Sequence, residues 1–389
     1  MSTVAPPETT VQPFRIEVPQ ADLDDLQDRL ARTRWSAALS GAGWERGVPV
    51  DYLKELAEHW RVSFNWRQHE AQLNELPQFT TVIDGATLHL AHIRSRHEQA
   101  RPLLLLHGWP GSMVEFLDLV GPLTDPTAHG GEAHDAFHLV IPSLPGFGFS
   151  GPLPETGWTD GRVAAALAEL MTRLGYDQYG VHGGDVGAFI APLIGRCAPE
   201  RVLGVHVNNL VTFPTGDPAD LAALSHSDKA RLKEMKRWQE ELGGYMQLQG
   251  TRPQTIAAAL NDSPAGQLAW IAEKFKDWTD PASALPHDAV DLERLLANVS
   301  IYWFTDTATS VANSYYERFN DPAMWTPKPR GTVPTGVAVF TTDTSIRRFA
   351  DTAHNVVHWS EFDRGGHFPA LEAPDLLIAD LKAFFRAVA

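Results

Sequence analysis

Only one of the 389 residues is a cysteine, Cys197, so no disulfide can close within the chain. A reducing compartment, the cytoplasm, is the expected setting. Long apolar runs are missing too. The longest candidates, such as LLLL at 103–106, have the length of a buried strand and fall far short of the roughly 20 residues that cross a bilayer. The first twenty residues, MSTVAPPETTVQPFRIEVPQ, lack a basic start followed by an apolar stretch, and no signal peptide is expected. Positive charge is scarce: 32 Lys and Arg against 48 Asp and Glu leave a net charge of −16. Nucleic acid and an anionic membrane surface are thereby excluded as expected partners, because both demand a basic face. No cluster has the spacing of metal ligands and no glycine-rich loop has the spacing of a phosphate cradle, so neither metal nor organic cofactor is expected.

What is present is the composition of an ordinary globular protein, with 43% hydrophobic and 21% charged residues, in a chain long enough for a core domain with additions. Residues 1–12 are rich in Thr and Pro, and their start is expected to be disordered. From Phe14 to about Gln78 apolar residues recur at helical spacing, which reads as an N-terminal helical extension over 1–80. Asp84-Gly85 then splits an alternating segment and predicts a hairpin. Short apolar runs at 103–106, 138–143, 179–183 and 203–208 alternate with helical stretches such as 162–175, which argues for a mostly parallel sheet covered on both faces. The strand rhythm stops between about 210 and 300, where a helical, polar segment reads as a lid. It returns at 335–342 and 356–363 before a closing helix. The expected organisation is therefore a core over 81–209 and 301–389, interrupted by the lid.

Three motifs carry chemistry. The first is Gly183-Gly184-Asp185-Val186-Gly187, with an apolar strand before it and a helical stretch after it. Small residues two before and two after a central nucleophile relieve a strained strand-to-helix turn. The usual nucleophile is Ser; here it is Asp185. The second is His107-Gly108-Trp109-Pro110-Gly111-Ser112, directly after LLLL. In this layout the backbone amides of Trp109 and Val186 would form an oxyanion hole. The third is Gly365-Gly366-His367-Phe368, past the last expected strand, where a general base belongs. Each alone is compatible with an ordinary glycine-rich turn. Together, in this order, they predict an α/β-hydrolase fold. The order nucleophile, acid, base calls for an acid between 185 and 367. Asp343 fits best; Glu361, Asp363 and Asp351 compete. The alternative position after the strand at 203–208 holds Asn208 and Asn209, which are not carboxylates, and this tilts the choice toward Asp343.

An aspartate nucleophile changes the reaction. A serine that attacks an sp3 carbon makes an ether, a dead end. A carboxylate makes an ester, which an activated water can cleave. Epoxides and alkyl halides become the expected substrates. Epoxide opening develops an alkoxide that wants a proton donor, and Tyr245, Tyr315 and Tyr316 are placed in or just after the lid, out of only seven tyrosines. Halide release would favour N–H donors, yet no Trp or Arg adjoins Asp185. A haloalkane dehalogenase is thus the second enzymatic reading, and a non-catalytic binding protein on the same fold the third.

These residues resemble the microsomal-type epoxide hydrolases, including soluble bacterial and fungal members. The likeness is carried by PFRIEVPQADLDDLQDRLARTRW, HGWPGS, GGDVG, GYMQLQGTRPQTIAAALNDSPAGQLAWIAEKFKDWTD and RGGHF, and spans nearly the whole chain. It implies Asp185 as nucleophile, His367 as base, Asp343 as acid, and Tyr245 and Tyr316 as the pair that binds the epoxide oxygen, with Tyr315 adjacent. It also implies conversion of an epoxide and water to a vicinal diol without a cofactor. The membrane anchor of animal members is not expected here. Abundant Trp and Phe fit an apolar or aromatic epoxide, and equally a packed core. A homo-oligomer is compatible with the sequence.

Overall fold

In the computed structural model, residues 10–214, 216–326 and 328–388 are described; the expected disorder at the N-terminal start lies outside them. Nine strands form one sheet: β1 (Gln12–Phe14), β2 (Gln78–Ile83), β3 (Ala86–Ile93), β4 (Arg101–Leu106), β5 (Phe137–Pro142), β6 (Tyr179–Gly183), β7 (Val202–Asn208), β8 (Pro334–Val339) and β9 (Asn355–Glu361). Their spatial order is β1-β2-β3-β5-β4-β6-β7-β8-β9. The first three strands run antiparallel, as does β3 against β5; every pairing from β5 through β9 is parallel. The hairpin forms where Asp84-Gly85 predicts it: Ile83 pairs with Ala86, and both turn residues adopt the positive φ that such a two-residue turn needs.

The inner parallel strands, β4 to β8, are buried on both faces, which explains their unbroken apolar runs: Leu103 to Leu106 are wholly inaccessible. Helices Asp160–Arg173 and Val186–Cys197 pack on one face, and the C-terminal helix Pro374–Val388 crosses the other. The chain leaves β4 for β5 on one side and reaches β6 on the other. That reversal opens a crevice at the carboxyl ends of β4 and β6, the place where sheets of this kind bind ligands.

The N-terminal extension supplies three helices, Gln20–Ala31, Val50–Val62 and Trp66–Leu73. It also adds β1 at the sheet edge, a strand too short to leave a periodic signal. Between β7 and β8 the chain is helical as far as Trp325, and the helix Ala308–Asn320 that bears the two adjacent tyrosines belongs to this insertion. The return to the sheet comes at Pro334, well after residue 300.

Candidate active site

β4 and β6 are neighbours, with Leu106 opposite Gly183, so the loops that follow them lie side by side. This register puts the HGWPGS turn against Asp185. Asp185 sits at φ 51 and ψ −117 between β6 and the helix Val186–Cys197, the strained corner expected of a nucleophile elbow. The glycines around it are required by contact. A Cβ on Gly183 would lie 2.2 Å from the Gly187 carbonyl oxygen, and one on Gly187 would lie 2.3 Å from that of Leu106.

The Trp109 amide donates to Asp185 Oδ1 at 2.9 Å. Burial by itself would raise the Asp185 pKa; His367 and the amides of Trp109 and Val186 outweigh it and hold the carboxylate below its usual value. Oδ1 is thus held by the Trp109 amide. Oδ2 faces the His367 ring, with Nε2 3.3 Å away. The expected oxyanion donors therefore already bracket the carboxylate in the resting enzyme.

His367 arrives on the loop after β9. Its own amide donates to the Trp278 carbonyl at 2.8 Å. The half-buried carboxylate of Glu372 fastens this loop by accepting from the amides of Gly366, Phe368 and Asp280. Sequence reasoning missed Glu372, a residue whose role appears only once the loop is folded over it.

The expected contact between Asp343 and His367 is not made. Among the described residues, the only carboxylate within 4 Å of a His367 ring nitrogen is Asp185. Asp343 is buried after β8, and both of its carboxylate oxygens already accept hydrogen bonds from other groups. Oδ1 accepts from the Ser345 amide at 2.7 Å and the Ser345 hydroxyl at 2.5 Å; Oδ2 accepts from the Asn209 amide at 2.7 Å. Asn209, at φ 56, in turn donates from Nδ2 to the His367 carbonyl at 3.1 Å. Asp343 and His367 are joined through Asn209. Of the competing acids, Glu361 pairs with Arg231, Asp351 lies 4.0 Å from Arg347, and Asp363 is exposed.

The lid side needs a second correction. Tyr316 is 41% exposed, whereas Tyr315 is 3% exposed and faces the site. Successive helical residues point about 100° apart, so only one of the pair can face inward. Tyr315 and Tyr245 have ring centres 5.9 Å apart at 79°. Tyr245 stacks on Trp109 at 5.0 Å, and Tyr315 meets Trp109 edge-on at 5.9 Å. Burial, then the Asp185 charge for Tyr245 and the Tyr245 and Asp185 charges for Tyr315, push both phenols well above their ordinary pKa, so each stays a proton donor. Two buried cations back them. Lys274 Nζ, ion-paired with Glu273, lies 4.6 Å from the Tyr245 ring centre. Arg318, paired with Asp160 at 2.7 Å, lies 5.7 Å from that of Tyr315. A cation over a ring favours negative charge on it, which suits a phenol that must surrender a proton.

Beneath Asp185, away from the tyrosines, lies a narrow cavity with room for about one water. Its walls include Glu115, His182, Asp185, Asn208 and His367. No group of residues suited to a metal ion occurs among the described residues.

Residues 11–116 match the epoxide hydrolase N-terminus family, and residues 101–255 match the alpha/beta hydrolase fold family. A protein of Stigmatella aurantiaca, provisionally named an epoxide hydrolase, is 44% identical over 379 residues, which is 97% of this chain and 85% of that protein. The chain belongs to the epoxide hydrolase family. Epoxide hydrolase 1 of Sus scrofa is 32% identical over 97% of this chain and 89% of its own length. The structure of Aspergillus niger epoxide hydrolase superposes with a TM-score of 0.85 at 33% identity, covering 98% of this chain and 97% of that one. That of juvenile hormone epoxide hydrolase from Bombyx mori gives 0.88 at 30% identity, covering 97% and 95%. This epoxide hydrolase is an α/β-hydrolase that adds water to an epoxide to give a diol. Among the described residues, no helix is long and apolar enough to cross a membrane.

Proposed function

We propose that Asp185 attacks an apolar epoxide, and that Tyr245 and Tyr315 receive the oxygen. The observation that carries this reading is the division of labour at the Asp185 carboxylate: Oδ1 is held by the Trp109 amide, and Oδ2, which faces the His367 ring 3.3 Å away, is the oxygen that attacks. Oδ2 bonds to a ring carbon, the C–O bond breaks, and a tyrosine hydroxyl gives its proton to the departing oxygen. A hydroxyalkyl ester of Asp185 results. His367 then takes a proton from a water, whose oxygen bonds to the ester carbonyl carbon. The Trp109 and Val186 amides stabilise the oxyanion; the Cγ–Oδ2 bond then breaks, the proton of the newly bonded hydroxyl passes to Oδ2, and the diol leaves with Asp185 restored as a carboxylate. Asp343 orients the base through Asn209 and the His367 backbone.

The substrate end is an aromatic box formed by Trp109, Tyr245, Trp270, Trp278 and Tyr315, which favours an apolar, aromatic epoxide. The single cysteine supports a cytoplasmic setting. The test compares diol formation from a panel of aryl and alkyl epoxides by the wild type and Asp185→Ala, with intact mass measured on His367→Gln. Diol from the wild type alone and an alkyl adduct on His367→Gln are the expected results. Equal diol yield from Asp185→Ala, or no adduct on His367→Gln, overturns the assignment.

A further inference from the structure

Behind the nucleophile the sheet carries a row of titratable side chains that the mechanism above does not use. Pairing sets it up: His182 on β6 lies opposite His206 on β7, His206 opposite Gly336 on β8, and Gly336 opposite His358 on β9. Side chains at paired positions share one face. Gly336 leaves a gap in the row, since a Cβ there would meet the Phe384 ring at 2.7 Å. The C-terminal helix fills the gap with Phe384 and brings Asp380 between His206 and His358. The contacts are continuous: His182 Nδ1 to His206 Nδ1 is 2.9 Å, His206 Nε2 to Asp380 Oδ2 2.9 Å, and Asp380 Oδ1 to His358 Nε2 2.7 Å. Ser360 Oγ donates to Asp380 Oδ1 at 2.6 Å.

The two ends of this chain differ. His182 is a wall of the one-water cavity shared with Asp185 and His367. His358 stands on the edge strand with its side chain 23% exposed. The middle is sealed, with His206 at 0% and Asp380 at 5%. Hydrogen bonding also fixes polarity. The buried Asp380 is kept ionised by His206, Ser360 and His358, against the opposing effect of burial. His206 then donates from Nε2, its bare Nδ1 accepts from His182 Nδ1–H, and His182 Nε2 is left as that ring's unprotonated nitrogen.

We infer that His182, His206, Asp380 and His358 form a proton exit from the active-site cavity to the surface. The inference rests on the assignment of Asp185 and His367. In the hydrolytic step the water's proton goes to His367 while its oxygen bonds to Asp185 Cγ. That proton must leave before the next turnover, and the lid covers the front of the site. It passes through cavity water to His182 Nε2; Nδ1 of His182 releases one to His206 Nδ1, and Nε2 of His206 releases one to Asp380. The part-exposed His358 ring then turns its bare nitrogen toward Asp380, accepts the proton there and releases the one carried on Nε2 to solvent. One proton enters the relay and one leaves it, and the tyrosinate left by ring opening regains its own from solvent when the lid opens to release the diol. His182 and its partners are positioning and proton-carrying groups that never touch the epoxide.

The decisive variant is His206→Gln, which can keep both hydrogen bonds yet cannot carry a proton; Asp380→Asn is the second, for use if the first does not fold. Stopped-flow tryptophan fluorescence on a single turnover separates alkylation of Asp185 from hydrolysis of the ester. The expected result is an unchanged alkylation rate, hydrolysis slowed about tenfold, accumulated alkyl-enzyme by intact mass, and a larger solvent isotope effect on kcat. Hydrolysis at the wild-type rate overturns the relay. So does a loss in which alkylation and hydrolysis fall together with Tm, the mark of a mere staple between helix and sheet. If the wild type itself forms no adduct, the nucleophile assignment fails and the relay with it. An adduct in the wild type with no effect of either variant rejects the relay alone.

Discussion

The adjacent tyrosines on the helix Ala308–Asn320 give the sharpest test of the site. Tyr315→Phe removes one hydroxyl and leaves the ring in its edge-on contact with Trp109 at 5.9 Å, so packing is preserved. A lone donor to a developing oxyanion in a water-excluded site is worth about 2.7–4 kcal/mol. Tyr245 stays in place with its ring centre 5.9 Å from Tyr315 and keeps part of the charge. The expected loss is therefore smaller, about 1.4–2.7 kcal/mol, or roughly 10- to 100-fold in kcat/KM. Tyr316→Phe changes a residue 41% exposed on the far side of the helix, and its effect should stay within about 0.5 kcal/mol, roughly twofold. Removing both hydroxyls, Tyr245→Phe with Tyr315→Phe, should cost more than the sum of the single losses, because each covers for the other. The assay is initial-rate diol formation from an aryl epoxide, with Tm recorded for each variant. A slow Tyr316→Phe beside a normal Tyr315→Phe would refute the placement and restore the pairing expected from sequence.

Three further outcomes follow from contacts already described. Gly108→Ala would put a Cβ 2.2 Å from Asp185 Oδ1, so diol formation should fall below detection while circular dichroism still reports a folded sheet; a variant of normal activity would show that the HGWPGS turn can retreat. Arg318→Met leaves the half-buried Asp160 carboxylate without its partner, and calorimetry should show a loss of about 1–3 kcal/mol. Glu115, on the cavity wall, has its pKa raised well above the ordinary carboxyl value by burial first and by the Asp185 charge second. The folded state therefore holds this proton more tightly than the unfolded chain. The stability it contributes is complete below the ordinary glutamate range and is lost as pH rises toward the folded value. Denaturant unfolding of wild type and Glu115→Gln should coincide at about pH 4 and separate by about pH 8, with Glu115→Gln the more stable; parallel curves would contradict a buried ionising Glu115.

What could be read from the sequence was what backbone periodicity and tight turns impose. Buried parallel strands need unbroken apolar runs, and LLLL at 103–106 became a strand with no exposed side chain. The elbow needs small residues at 183 and 187 because backbone carbonyls pass within 2.3 Å of any Cβ there, and that need leaves a motif. Side-chain direction leaves none. Tyr315 and Tyr316 are indistinguishable as letters, and only the helix phase set by packing of Ala308–Asn320 turns one inward. Lys274 was present in a block whose likeness was noted, yet its burial under Tyr245 depends on the Pro264–Trp278 helix crossing the site.

The acid shows the same boundary most clearly. Chain order and the end of β8 located Asp343, because a loop at the carboxyl edge of the sheet is fixed by topology. Where its carboxylate points is decided by competition among nearby donors, and here Ser345 and Asn209 take it. The asparagines at 208 and 209 counted in the sequence only as carboxylates that were missing. In the fold they are what connects the acid loop to the base loop, since both side chains donate to the His367 carbonyl. An acid that steadies its base through the backbone need not share a proton with it. The imidazolium formed in hydrolysis then has Asp185 as its nearest carboxylate, and that group is esterified at that moment. At that moment no ionised carboxylate lies within 4 Å of the His367 ring nitrogens among the described residues, and the proton it takes is the one that an exit through His182 would carry.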